Sequence, residues 1–88
     1  ALHYAVIRKN FRLARLLIEK RINVNARTNN GNTALMMAAA RDMFYISKAL
    51  LSAGAKVNIK NNKGKTALKF VYLNKKLVKL LKAAGATE

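Results

Sequence analysis

Apolar residues come in short blocks separated by polar runs rich in asparagine, lysine and glycine, and the blocks recur at a fixed spacing. Ala1-Leu2-His3-Tyr4-Ala5, Ala34-Leu35-Met36-Met37-Ala38 and Ala67-Leu68-Lys69-Phe70-Val71 align at a constant offset of 33 residues. The polar runs Asn30-Gly31-Asn32-Thr33 and Lys63-Gly64-Lys65-Thr66 keep that offset, as do Val24-Asn25 with Val57-Asn58 and Leu17-Ile18 with Leu50-Leu51. A period of this length marks a repeated supersecondary unit, each copy too small to bury its own apolar side.

One unit reads as turn, helix, helix, extended arm. Gly31 and Gly64 lie in polar runs where glycine supplies the positive φ of a tight turn. Thr33 and Thr66 follow, each placed to N-cap a helix that opens on alanine. The first helix of the middle unit is predicted over about 34–41, and its small residues Ala38, Ala39 and Ala40 permit close approach of a neighbour. After a break at Asp42-Met43, a second helix is predicted over 44–52, with Ile46, Ala49, Leu50 and Ala53 forming one inward stripe. Gly54 suits a left-handed position after that helix. Val57-Asn58 then begins the arm to the next turn. Stacked side by side, such units pool their stripes into one shared core.

These residues resemble the ankyrin repeat, whose pattern is roughly D-x-x-G-x-T-P-L-H-x-A-A-x-x-G-x-x-x-x-V-x-x-L-L-x-x-G-A-x-V-N. Residues 28–58 carry Gly31, Thr33, Leu35, Ala38, Ala39, Ile46, Leu50, Leu51, Gly54, Ala55, Val57 and Asn58 in that order. The same series continues in 61–86 with Gly64, Thr66, Leu68, Val78, Leu80, Leu81, Gly85 and Ala86, and in 1–25 with Leu2, His3, Ala5, Leu13, Leu16, Leu17, Val24 and Asn25. The resemblance implies an all-α, ankyrin-repeat solenoid of about three stacked helix-turn-helix units with β-turn fingers. It divides one domain, 1–88, into a partial repeat 1–27, a repeat 28–60 and a shortened C-terminal capping repeat 61–88.

Departures from the pattern add expectations. Alanine replaces proline at 34 and 67, and Met36 and Lys69 stand where the histidine belongs, so the family's Thr–His hydrogen bonding is expected in neither unit. Lys9 and Arg21 occupy glycine positions, where a left-handed backbone costs a residue with a Cβ about 1 kcal/mol; Asp42, at the matching turn, tolerates it better. The third unit is two residues short, and the loss is assigned to the turn between its helices, near Asn74. Its lysine-rich side (Lys75, Lys76, Lys79, Lys82) reads as a solubilising cap. Ala1 falls at the pattern's proline, so the chain is expected to belong to a longer array.

Charge changes the picture more than hydropathy does. Eighteen Lys and Arg against three acids (Glu19, Asp42, Glu88) give +15. That excess attracts polyanions, whether nucleic acid, anionic lipid or an acidic protein face; a general bias toward lysine and asparagine would produce it too. With no cysteine, one histidine and scattered acids, no metal or cofactor site and no catalytic constellation can be assembled, and His3 reads as the structural histidine of its unit. Asn62-Lys63-Gly64-Lys65-Thr66 shares the end of a phosphate-binding loop but lacks its first glycine and preceding strand. The longest apolar run, 34–40, is far short of the roughly 20 residues that span a bilayer. No signal peptide is visible, consistent with an intracellular protein or an exported one whose signal lies outside these residues. Lys76 to Ala84 could be a membrane-seeking basic helix, but the repeat register turns Leu77, Leu80, Leu81 and Ala84 inward.

What the resemblance leaves for function is the face made by the turn tips and the exposed sides of the first helices. Mapped onto this chain, it comprises Arg8, Arg27, Asn29, Asn30, Asn32, Arg41, Lys60, Asn62, Lys63 and Lys65, with Ala40 and Leu73 beside them. The expected function is non-catalytic: a protein–protein interaction module that holds an acidic partner, without a small-molecule substrate. The alternatives are charge-driven binding of nucleic acid or anionic lipid, disfavoured because the aromatics are assigned to core or helix-face positions, and service as a spacer within a larger array.

Overall fold

In the computed structural model, which describes residues 2–20, 23–71 and 74–86, each polar run folds into a turn and the threonine closing it precedes a helix. Ala1, Arg21, Tyr72, Leu73 and Glu88 lie outside the described residues. The helices are α1 (Leu2–Ile7), α2 (Phe11–Glu19), α3 (Ala34–Ala40), α4 (Phe44–Ser52), α5 (Ala67–Phe70) and α6 (Lys75–Ala83). They pair in sequence as three hairpins. The first helices form one row, with α3 against both α1 and α5, and the second helices form another, with α4 against both α2 and α6. Among the described residues there is no strand.

Local chemistry sets the boundaries. Thr33 Oγ1 accepts from the Met36 amide at 3.3 Å, and the Met36 sulfur accepts from the Thr33 amide at 3.4 Å. The thioether thus completes a capping box, a weak acceptor standing where the family pattern has histidine. Asn10 and Asn74 cap α2 and α6 by accepting from Leu13 and Leu77 at 3.1 and 3.0 Å. The turns inside the first two hairpins run through left-handed residues, Lys9 at φ 55° and Asp42 at φ 56°, as the glycine positions of the pattern predict. Each turn closes with a bond to the end of the preceding helix, Asn10 N–H to Ala5 C=O and Met43 N–H to Ala38 C=O, both 2.9 Å. Gly54 and Gly85 reverse the chain after α4 and α6 at φ 94° and 102°.

The core runs between the two rows: Ala5, Val6, Ala14, Leu35, Ala38, Ala39, Ile46, Leu50, Leu77 and Leu81 are buried. Leu35 and Leu68 take the second position of equivalent helices, buried in α3 and half-buried in α5. Two stripe assignments are corrected. Ala53 and Ala84 are exposed rather than inward, because each is the C-cap of its helix and lies past the last packed turn. Ala40, at the end of α3 and beside the predicted face, is exposed. Ser47 takes an inward place on α4 that the stripe did not include.

The first helix of the third unit is the shorter one, with 4 residues in α5 against 7 in α3, whereas α6 has the same 9 residues as α4 and begins behind its Asn74 cap. The connection near Asn74, to which the sequence assigns the loss, includes Tyr72 and Leu73, which lie outside the described residues. Lys75, Lys76, Lys79 and Lys82 are exposed. His3 donates through Nε2 to the Ala26 carbonyl at 2.9 Å, tying α1 to the arm that leads into the next turn.

Candidate functional site

Two fingers carry most of the predicted face, and both are built by the same bonds. In finger one, residues 28–33, the Thr28 amide donates to Asn32 C=O at 2.9 Å and the Gly31 amide to Thr28 C=O at 2.8 Å. In finger two, residues 61–66, the Asn61 amide donates to Lys65 C=O and the Gly64 amide to Asn61 C=O, each at 2.9 Å. A side-chain oxygen at the first position steadies each tip. Thr28 Oγ1 accepts from the Asn32 amide at 3.2 Å, and Asn61 Oδ1 accepts from the Lys63 and Lys65 amides at 2.9 Å.

A second set of bonds runs between the fingers. The Asn62 amide donates to Asn30 C=O at 3.0 Å, and its side-chain nitrogen donates to Asn29 C=O at 2.9 Å. Asn61 Nδ2 donates to Asn32 Oδ1 at 2.9 Å. Arg27 forks across the seam, its Nε donating to Gly31 C=O at 3.2 Å and its Nη2 to Lys60 C=O at 2.7 Å. The arms repeat the device: Asn25 accepts from the Lys56 amide at 2.7 Å and donates to Gly54 C=O at 3.3 Å, and Asn58 donates to Gly85 C=O at 2.9 Å. Much of the amide content read as recognition chemistry is therefore turned sideways, unit to unit.

The ten predicted residues divide accordingly. Arg27, Asn32 and Asn62 spend their side chains on the neighbouring finger, while Asn29 and Asn30 contribute their carbonyls and keep their exposed side chains outward. Lys60, Lys63 and Lys65 are exposed, and their ammonium groups have no partner among the described residues. Arg8 and Arg41 occupy equivalent places just past α1 and α3. Arg8 lies over the Tyr4 ring, 5.8 Å from its centre, and Arg41 donates to Met37 C=O at 3.4 Å. The face thus comprises a lysine-bearing finger edge and a separate pair of arginines at helix ends.

Sequence reasoning missed Asn61 and Phe70. With Asn30, Asn32, Asn62, Lys63 and Lys65 they line a cavity of about 250 Å³ opening between the fingers. The signal was present: Asn61 stands at the place of Thr28, and Phe70 at that of Met37. Among the described aromatics, Tyr4, Phe11 and Tyr45 are largely exposed on helix faces, and Phe44 and Phe70 pack against the core. Among the described residues no group of three or more His, Cys, Asp or Glu could hold a metal ion. No helix among them is long and apolar enough to cross a membrane.

A family model described as ankyrin repeats (three copies) matches residues 1–61. The chain belongs to the ankyrin-repeat family. Among solved structures, the ankyrin repeat domain of Bcl-3, a member of the IκB protein family, superposes with a TM-score of 0.87 at 27% identity. The match covers 92% of this chain and 35% of that one, so the chain spans about a third of the structure it resembles. No curated protein sequence matches it. Ankyrin repeats are in general non-catalytic scaffolds for protein–protein interaction, and their fingers and first helices are the elements whose bonds are set out above.

Proposed function

We propose that this ankyrin stack binds an acidic protein partner across the edge of its second finger, with the arginines at the ends of α1 and α3 in support. The observation that carries the reading is the contrast within one finger. Its amides are locked to the neighbouring unit, while Lys60, Lys63 and Lys65 stand free on that fixed frame. A rigid row of ammonium groups loses little conformational freedom in its backbone on binding, and it steers a carboxylate-rich surface toward it before contact. The cavity beside Lys63 and Lys65 has Phe70 in its lining, so it suits an apolar side chain flanked by carboxylates. Residues Asn29 and Asn30 add outward amides able to bond a partner's backbone.

Reversing Lys60, Lys63 and Lys65 to Glu tests this. Affinity capture followed by mass spectrometry supplies the partner, and the reversed protein is expected to associate with it at least about 10-fold more slowly at low salt. Its helical circular dichroism should be unchanged. Binding indistinguishable from wild type would reject the finger edge as the contact. Titration with duplex DNA and with anionic vesicles covers the rival class: binding that survives near physiological salt would favour a polyanion over a protein.

A further inference from the structure

Ten asparagines are spread over the fingers, arms and helix caps, and the fold treats two of them differently from the rest. Eight have side chains held by a hydrogen bond, as caps, as turn braces or as ties to the neighbouring unit. Asn29 and Asn30, at the tip of finger one, have exposed side chains with no partner among the described residues. Of all ten, Asn30 alone is followed by glycine. Asparagine is among the thermally labile residues, and this neighbour decides how labile. Without a Cβ on residue 31, no side chain obstructs the approach of the Gly31 amide nitrogen to Asn30 Cγ. The glycine is also fixed in place: it holds φ 80° with Asn62 and Arg27 directly upon it, so a larger residue would be strained there.

We infer that Asn30 is a site of spontaneous deamidation, gated by the opening of finger one. The Gly31 amide gives up its proton to hydroxide, and its nitrogen attacks Asn30 Cγ. A C–N bond forms, the Cγ–Nδ2 bond breaks, and ammonia leaves behind a five-membered succinimide. Water then opens that ring at either carbonyl. Opening at Cγ yields aspartate; opening at the main-chain carbonyl yields isoaspartate, with the chain rerouted through Cβ and Cγ. In the closed finger the step waits, because the Gly31 N–H donates to Thr28 C=O at 2.8 Å and the Asn30 carbonyl accepts from the Asn62 amide at 3.0 Å. Each local opening frees the nitrogen beside a side chain that no bond restrains. Isoaspartate cannot close the finger as before: its main chain is one atom longer, and the carbonyl that accepted from Asn62 has become a free carboxylate. Either product adds a negative charge to the cavity that Asn30 shares with Lys63 and Lys65. Weaker capture of an acidic partner after the change rests on the finger-edge reading; the reaction itself does not.

The test incubates the 88-residue protein near neutral pH at physiological temperature and follows residues 28–41, which trypsin releases by cutting after Arg27 and Arg41, by mass spectrometry. A brief, mildly acidic digestion limits reaction during handling. A gain of one mass unit at Asn30, ahead of every other asparagine, is expected, with isoaspartate detected by enzymatic methylation. The gain should quicken as pH rises. Its rate should equal that of a synthetic peptide of the same sequence, reduced by the protection of the Gly31 amide in hydrogen exchange. Asn30→Gln keeps the amide but must close a less favourable ring, and should suppress the gain. Asn62→Ala removes the bond to Asn29 C=O, so it should speed the reaction several-fold in buffer and leave it unchanged in urea. An unaltered Asn30 after the free peptide has converted, or an earlier gain at another asparagine, would overturn the site. A rate that ignores the protection of Gly31, or equal rates in buffer with and without Asn62→Ala, would overturn the gating. Every readout is covalent, so the outcome is independent of whether an acidic partner binds the finger edge.

Discussion

Gly31 and Gly64 occupy the same corner of successive fingers at nearly the same backbone angle, φ 80° and 75°, yet their surroundings differ. A Cβ on Gly64 would meet nothing within 4 Å, whereas one on Gly31 would meet Asn62 Oδ1 at 2.6 Å, an Arg27 nitrogen at 2.8 Å and the Asn62 amide at 2.9 Å. The first glycine serves the turn; the second finger also lies directly on it. Gly64→Ala should therefore cost only the left-handed penalty, about 1 kcal/mol. Gly31→Ala adds the displacement of Asn62 and Arg27, raising the loss to about 2–3 kcal/mol. Urea denaturation of the two variants separates the effects, and equal losses would mean the fingers do not bear on one another. At this scale the sequence told a partial story. Alignment with the repeat pattern predicted left-handed backbone at Lys9 and Asp42, and both are found there. It assigned Arg27, Asn32 and Asn62 to a partner because a side chain's direction is not written in its position. A clue was nevertheless available, since Asn29 with Asn62 and Asn25 with Asn58 recur one period apart, which in a stack makes them neighbours.

Among elements, the second helices carry the clearest comparison. Ala14 on α2, Ser47 on α4 and Val78 on α6 occupy equivalent places. Ser47 is fully buried, and its hydroxyl finds no hydrogen-bond partner. An unsatisfied hydroxyl costs about 1–3 kcal/mol in desolvation, and the alanine already tolerated at the α2 position shows what fits. Ser47→Ala is expected to stabilise the protein by about 1 kcal/mol, read as a higher thermal midpoint; a lower one would mean the hydroxyl is satisfied in solution. The extent of the elements was mostly legible. The bounds of α4 follow from the 33-residue alignment and the apolar stripe, and α3 ends one residue short of its expected bound. The short α5 was not legible, because a two-residue deficit fixes the length of a unit without saying which part gives way. With Asn74 capping α6 at its full 9 residues, it is the first helix that is short, 4 residues against 7 in α3. Ala53 and Ala84 misled for a related reason, since helical spacing carries on past a cap and packing does not.

Across the whole molecule, the fingers and arms are joined by polar bonds and the helices by apolar contact, so each seam between layers has a hydrogen-bonded margin and an oily middle. The Asn62 amide belongs to that margin alone, bonded to a carbonyl of the layer before it and not to its own turn. Helix fraying leaves this bond intact; parting of two layers breaks it. In a hydrogen–deuterium exchange experiment Asn62 should therefore exchange with the opening free energy of the seam, while the Gly64 amide, bonded within its own finger, should exchange as fast as that finger unravels. Strengthening the second seam by any substitution should slow Asn62 and leave Gly64 behind. If the two amides always exchanged in step, the layers would open and the turns would melt as a single event. Should they separate, a lone backbone proton at the tip of a finger becomes a gauge of how tightly the stack is closed, readable one layer at a time.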